Sequence, residues 1–128
     1  PTRRSSDLLE TRKEAAIYTA LSAAEKLTAA QWKRLWETME FCRRMNYRKI
    51  GVAFCREWCE ETKILVRVLH RYGFHVVTAM CQSDGLLQAA MLNEQETDFN
   101  LAVGLCMNRN APFYKYSRAM VTTIIERK

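Results

Sequence analysis

Three short apolar runs, each closed by a cysteine, limit what this chain can fold into more than any other feature. They are Ile50-Gly51-Val52-Ala53-Phe54 before Cys55, Val76-Val77-Thr78-Ala79-Met80 before Cys81, and Leu101-Ala102-Val103-Gly104-Leu105 before Cys106. Unbroken apolar runs of about 5 residues have the length and character of strands buried on both faces. Between them lie helix-length segments. One runs from about Arg56 to Tyr72 and is closed by Gly73, as a helix C-terminus favours. The other is capped by Ser83 or Asp84 and reaches Leu92 or Asn93. Strands alternating with helices imply a mostly parallel sheet with crossover connections. In such a sheet all three thiols emerge at the carboxyl edge, where ligands bind in open α/β folds.

The remaining segments complete a single α/β domain over residues 9–128. A helical section, 9–46, precedes a β-α-β-α-β-β section, 47–128. Residues Leu9 to Lys26 are rich in Ala, Leu, Glu and Lys, which favour helix. Thr28 and Gln31 form a T-x-x-Q capping box. The helix that follows, about Ala29 to Met45, places Trp32, Leu35, Trp36, Met39 and Cys42 on one face, and Asn46-Tyr47 reads as its stop. The second and third strands are expected at His75 to Met80 and Phe99 to Leu105. A loop then leads to one helical turn after Asn110-Ala111-Pro112, and a last strand spans Met120 to Glu126. The expected architecture is a small, mostly parallel Rossmann-like (flavodoxin-like) sheet of about four strands with flanking helices, the first strand lying between the second and third. Residues 1–8, Pro1 to Leu8, resemble the translated end of a sequencing adapter and are set apart from fold reasoning. A flexible native N-terminus is the competing reading. The chain ends two residues after the final strand, so both native ends are expected to be missing.

Composition narrows the function classes. A chain of 128 residues can bury a core without disulfides. No stretch reaches the roughly 18 apolar residues of a membrane span, and the N-terminus has no signal-peptide pattern. Five cysteines are an odd number at spacings unlike a secreted disulfide framework. A cytoplasmic protein with reduced thiols is expected, with no membrane partner. The net charge of +6 raises nucleic acid as a partner. The basic residues are scattered, however, and the one dense group, Arg43, Arg44, Arg48 and Lys49, lies at a helix end where cations are favourable anyway. Nucleic-acid binding is not expected.

The chemistry rests on the thiols. Cys55 stands at a strand-to-helix junction, where free amides and the helix dipole favour thiolate. Cys59 is one helical turn further on, roughly on the same face. Zinc or another thiophilic metal takes about four ligands of the Cys, His or carboxylate type. Cys55, Cys81 and Cys106, completed by Cys59, Asp84 or water, can supply them. A shared site requires the Cys55 sulfur to lie within about 12 Å of the other two, given strands about 4.8 Å apart. Two other readings stand beside this one. Cys55 can act as an activated thiolate in redox or nucleophilic chemistry, or the cysteines can simply pack as small hydrophobes in a domain that has lost its site. Cys42 belongs to an apolar helix face and is expected to be inert. His70 and His75 fall toward the opposite edge and offer no Cys-His pair. No phosphate loop or dinucleotide fingerprint is present. Arg109, in the loop Asn108-Arg109-Asn110, can bind an anion at the site edge, or be an ordinary solvated arginine.

From about Thr28 onward the residues resemble a known family. The matching stretches are Tyr47-Arg48-Lys49-Ile50-Gly51-Val52-Ala53-Phe54-Cys55, Gly73-Phe74, the Cys81 region, Gln88-Ala89, Leu92-Asn93, Thr97-Asp98-Phe99-Asn100 and Gly104-Leu105-Cys106. They continue through Phe113, Lys115, Ser117, Ala119 and Val121-Thr122. This order is similar to that of domain-of-unknown-function family 1847, whose members are described as predicted metal-binding. The resemblance implies metal binding through Cys55, Cys81 and Cys106 and leaves the reaction, if any, open. This chain departs from the family pattern at Asn108-Arg109-Asn110, where the family reads Gly-His-Asp. It also lacks the family's longer, cysteine-containing segment after Cys81, its cysteine-rich N-terminal segment and its His-Asn-Pro tail.

Overall fold

The computed structural model describes residues 27–81 and 85–127. The adapter-like residues 1–8, the expected helix of Leu9 to Lys26, and Ser83 and Asp84 lie outside the described residues.

Four α-helices and four strands alternate along the described chain. Helix α1, Ala29–Arg44, opens with the expected capping box. The Gln31 amide donates to the Thr28 hydroxyl at 3.1 Å, and the Thr28 amide donates to the Gln31 side chain at 3.0 Å. Its buried face is Trp32, Leu35, Met39 and Cys42. Trp36, half-buried, stacks edge-on against Trp32 and Tyr72 at ring separations of 4.8 and 4.7 Å. Asn46, in the left-handed region at φ 60°, ends the helical path. Strand β1, Lys49–Phe54, is followed by a 3-10 turn, Arg56–Trp58, and helix α2, Cys59–Arg71. Then come β2, His75–Met80; α3, Gly85–Glu94; β3, Phe99–Val103; α4, Met107–Tyr116; and β4, Met120–Ile125.

The sheet order is β2-β1-β3-β4 with every pair parallel. β1 therefore lies between β2 and β3, as the flavodoxin-like expectation required. Alternation along the strands sorts residues by size. Ile50, Val52 and Phe54 on β1, with Phe99, Leu101 and Val103 on β3, join the larger core under α1 and α2. Ala53, Ala79 and Ala102 face the other way, into a smaller core with Ala89, Leu92, Leu105 and Phe113. Small residues on that face let α3 and α4 approach the sheet closely.

Two expectations need correction. The third strand stops at Val103 rather than Leu105, because Gly104 turns into the left-handed region at φ 64°. A side chain at Gly104 would also collide with the Trp58 ring. The following segment is not a loop with a late helical turn. Helix α4 begins at Met107 and carries Pro112 inside it. The polar string Asn108-Arg109-Asn110 has loop composition, but two features of the fold favour helix there. Cys106 stands at the N-cap in extended conformation, its carbonyl receiving the amides of Arg109 at 2.9 Å and Asn110 at 2.7 Å. Phe113 is fully buried and anchors the helix to the sheet. That helix is the crossover that makes β4 parallel to β3, so the order ends β-α-β rather than β-β.

Candidate functional site

The ladder of hydrogen bonds continues past the strand ends and fixes the first two cysteines. The Cys81 amide donates to the Phe54 carbonyl at 2.8 Å, and the Cys55 amide donates to the Val103 carbonyl at 3.3 Å. Phe54 pairs with Met80 in register, so Cys55 and Cys81 are the next matched positions on adjacent strands. Phe54 packs into the larger core, and alternation turns Cys55 to the α3/α4 face. The same holds for Cys81 after Met80. The two sulfurs meet at 3.1 Å.

Buried Gln88 on α3 holds this junction from below. Its side-chain amide donates to the Ala79 carbonyl at 2.8 Å, two residues before Cys81, and to the Phe54 carbonyl at 3.3 Å, directly before Cys55. The 3-10 turn closes it from the other side, with the Trp58 amide donating to the Cys55 carbonyl at 2.9 Å.

Two guanidinium groups converge on the pair. Arg109, in the first turn of α4, places Nη1 at 3.3 Å from the Cys55 sulfur and 3.8 Å from the Cys106 sulfur. Cys55 and Cys106 thus share one cationic nitrogen, which keeps them well inside the limit for a common site. Arg127, beyond β4, brings its Nη1 to 3.8 Å from the Cys55 sulfur, while its Nη2 pairs with Glu57 at 2.6 Å. Helix α4 can present Arg109 there because α3 begins with Gly85. A side chain at that position would run into the Arg109 carbonyl.

The electrostatics divide the pair. Cys81 is shifted below the ordinary thiol value: burial pushes it up, but its hydrogen bond with Cys55, the Arg56 amide and the Arg109 charge together outweigh that. Cys55 is shifted up, first by burial and then by its hydrogen bond and charge interaction with Cys81, against the pull of Arg109. Cys55 is only 3% exposed. The more accessible Cys81 is therefore the more readily ionised of the two thiols, and Cys55 holds its proton more firmly.

Of the four sequence candidates, Cys55 and Cys81 are brought into contact and Cys106 joins them through Arg109. Cys59 is directed differently, half-buried against the larger core on the α2 side of the sheet. Its position one turn after Cys55 suggested a common face, but the 3-10 turn between them breaks helical spacing. Cys42 is buried in the larger core, as expected. Both histidines are exposed, at the end of α2 and the start of β2. Among the described residues, no group of three or more His, Cys, Asp or Glu side chains is gathered as a metal would require. No helix there is long and apolar enough to cross a membrane.

Sequence reasoning missed Arg127, Trp58 and Gln88. Arg127 had no signal, being one arginine among many. Gln88, the polar residue within the apolar stretch Leu86 to Leu92, was a readable one. Beside the cluster, a cleft of ≈ 400 Å³ is lined by Leu105, Met107, Asn110, Tyr114, Glu126 and Arg127, among others. The buried Asn110 side-chain oxygen has no hydrogen-bond partner among the described residues.

A family model described as "Protein of unknown function (DUF1847)" matches residues 2–86 and 82–124. The chain is 38% identical over 114 residues to an uncharacterized protein, MJ0455, of Methanocaldococcus jannaschii. The match covers 72% of this chain and 58% of that protein, so the chain spans less than two thirds of the relative's length. No solved structure matches the chain.

Proposed function

Because the chain belongs to the DUF1847 family of unknown function, no reaction comes to it from its relatives, and we propose from the site itself a thiol–disulfide redox protein. The observation that carries this reading is the 3.1 Å contact between the Cys55 and Cys81 sulfurs. A disulfide needs sulfurs about 2.05 Å apart and Cα atoms roughly 4.4–6.8 Å apart. Matched positions on adjacent strands, about 4.8 Å apart, meet the second condition, so closure asks for sulfur movement of about 1 Å. Oxidation removes two electrons and two protons from the pair. The acceptor is a disulfide of another molecule, which leaves as two thiols. Cys81, the more accessible and more readily ionised thiol, attacks first, and Cys55 closes the bond.

The test is to treat reduced protein with a small disulfide, count free thiols and map the bridge. The expected result is loss of two thiols as a Cys55–Cys81 bridge, abolished by Cys55→Ser or Cys81→Ser. A bridge between other cysteines, or none, overturns the proposal.

A second reading, a thiophilic metal such as zinc held by Cys55, Cys81 and Cys106, is supported by the Cys55 and Cys106 sulfurs sharing one cation at 3.3 and 3.8 Å, with the Cys81 sulfur 3.1 Å from Cys55. That cation is the Arg109 guanidinium, and the residues as arranged fit a metal only if Arg109 swings away. Metal content of the reduced protein tests it. The reading requires bound metal that rises in Arg109→Ala and falls in Cys55→Ser. Absence of metal from both wild type and Arg109→Ala would eliminate it.

A further inference from the structure

Two guanidinium groups exceed what one thiolate needs for balance, and they are not equivalent. Arg127 is paired with Glu57, whereas the hydrogen bonds of Arg109 among the described residues go to sulfur. Once the Cys55–Cys81 bridge forms, the pair can carry no thiolate charge, and Arg109 faces no anion among the described residues. A guanidinium so placed is suited to a carboxylate, which it can grip with two parallel hydrogen bonds.

The neighbouring cleft lies on the same side. Arg127 lines the ≈ 400 Å³ space and also reaches the Cys55 sulfur at 3.8 Å, so one side chain spans from the cleft to the reacting pair. That volume lies in the range of about 300–1,000 Å³ that small-molecule sites occupy. Its lining combines Leu105, Met107 and Tyr114 with the charged Glu126 and Arg127.

We propose that the oxidant of the pair is a small disulfide bearing carboxylates, steered by Arg109 and Arg127 and seated in this cleft. The inference rests on the redox reading above. In the first step Cys81 gives its proton to solvent and attacks, as thiolate, one sulfur of the small disulfide. That S–S bond breaks, a mixed disulfide forms on Cys81, and the first thiolate leaves. In the second step Cys55 gives its proton to solvent and its sulfur attacks the Cys81 sulfur. The mixed disulfide breaks, the Cys55–Cys81 bond forms, and the second thiolate leaves. Two electrons pass from the protein pair to the small disulfide, and both leaving groups are anions that the guanidiniums stabilise.

The experiment compares oxidation rates of the reduced protein by three probes: anionic glutathione disulfide, neutral 2-hydroxyethyl disulfide and cationic cystamine. After correction for each probe's rate with a free model thiol, the anionic probe is expected to be faster than the neutral one by about tenfold, and the cationic probe slowest. The difference should shrink as salt rises from about 0.01 to 1 M, as the screening length falls. Arg109→Ala should narrow the preference, while Arg109→Lys, which keeps the charge, should retain most of it. Equal corrected rates, a cationic preference, or a preference untouched by Arg109→Ala overturns the inference and leaves the redox reading intact. Failure of all three probes to form the Cys55–Cys81 bridge overturns the redox reading and this inference with it.

Discussion

Gln88 donates to the Ala79 carbonyl at 2.8 Å, across the boundary between α3 and the end of β2. The same amide reaches Phe54 at 3.3 Å, so one buried side chain ties together the strand ends that carry Cys55 and Cys81. Replacing it by Leu should cost about 1–3 kcal/mol, since its buried partners lose a donor. The bridge should also form more slowly, because the strand ends are no longer held in common. Chemical denaturation and the rate of thiol loss measure the two effects, and unchanged bridging in a destabilised Gln88→Leu protein would make Gln88 purely structural.

Gly104→Ala should be among the most damaging single changes. The left-handed backbone at φ 64° costs a side-chain-bearing residue about 1–2 kcal/mol. Displacing the Trp58 ring adds overpacking of about 1–3 kcal/mol. A lower melting temperature and a changed tryptophan emission are expected, and wild-type values for both would show that the ring does not rest on Gly104.

Gly85→Ala tests how Arg109 is positioned. A β-carbon at Gly85 would meet the Arg109 carbonyl and come within 2.8 Å of the Phe113 amide, both rigid backbone groups. Helices α3 and α4 must then separate, at a cost of about 1–3 kcal/mol. The Arg109 guanidinium should withdraw from Cys55, and the preference for an anionic oxidant should fall as it does in Arg109→Ala. Rates with the charged probes check this.

Cys42 should behave unlike the site thiols. Burial, with a smaller contribution from the Asp98 charge, pushes it up to about 12 from the ordinary 9.0. In the folded protein it stays neutral, so iodoacetamide near pH 8 should leave it unlabelled until the chain unfolds. The raised value favours the folded state fully below pH 9, where both states hold the proton. Above that, the unfolded chain releases a proton that the folded one retains, so stability declines as pH rises toward 12. Cys42→Ala should flatten that alkaline decline, as urea titrations from pH 8 to 11 can show.

The sequence alone determined where the strands lie, the parallel order of the first three and the edge from which the thiols emerge. These follow from local information: unbroken apolar runs of strand length, helix-length spacers, a capping box at Thr28 and Gln31, and a cysteine after each run. Cys106, however, lies two residues past Gly104, which takes the position matched to Cys55 and Cys81. It also placed Cys42 in the core, because helical spacing decides which side chains share a face. Tertiary structure decided the rest. Whether Asn108-Arg109-Asn110 is loop or helix depends on burial of Phe113 against the sheet, a contact that composition does not encode. Whether Cys59 joins Cys55 depends on a 3-10 turn that reorients the chain within four residues. The convergence of Arg109 and Arg127 on one sulfur joins residues 54 and 72 positions away from Cys55. Such long-range meetings are set by strand order and helix packing. They leave no periodic trace in the sequence, which is why the thiols were legible and the cations around them were not.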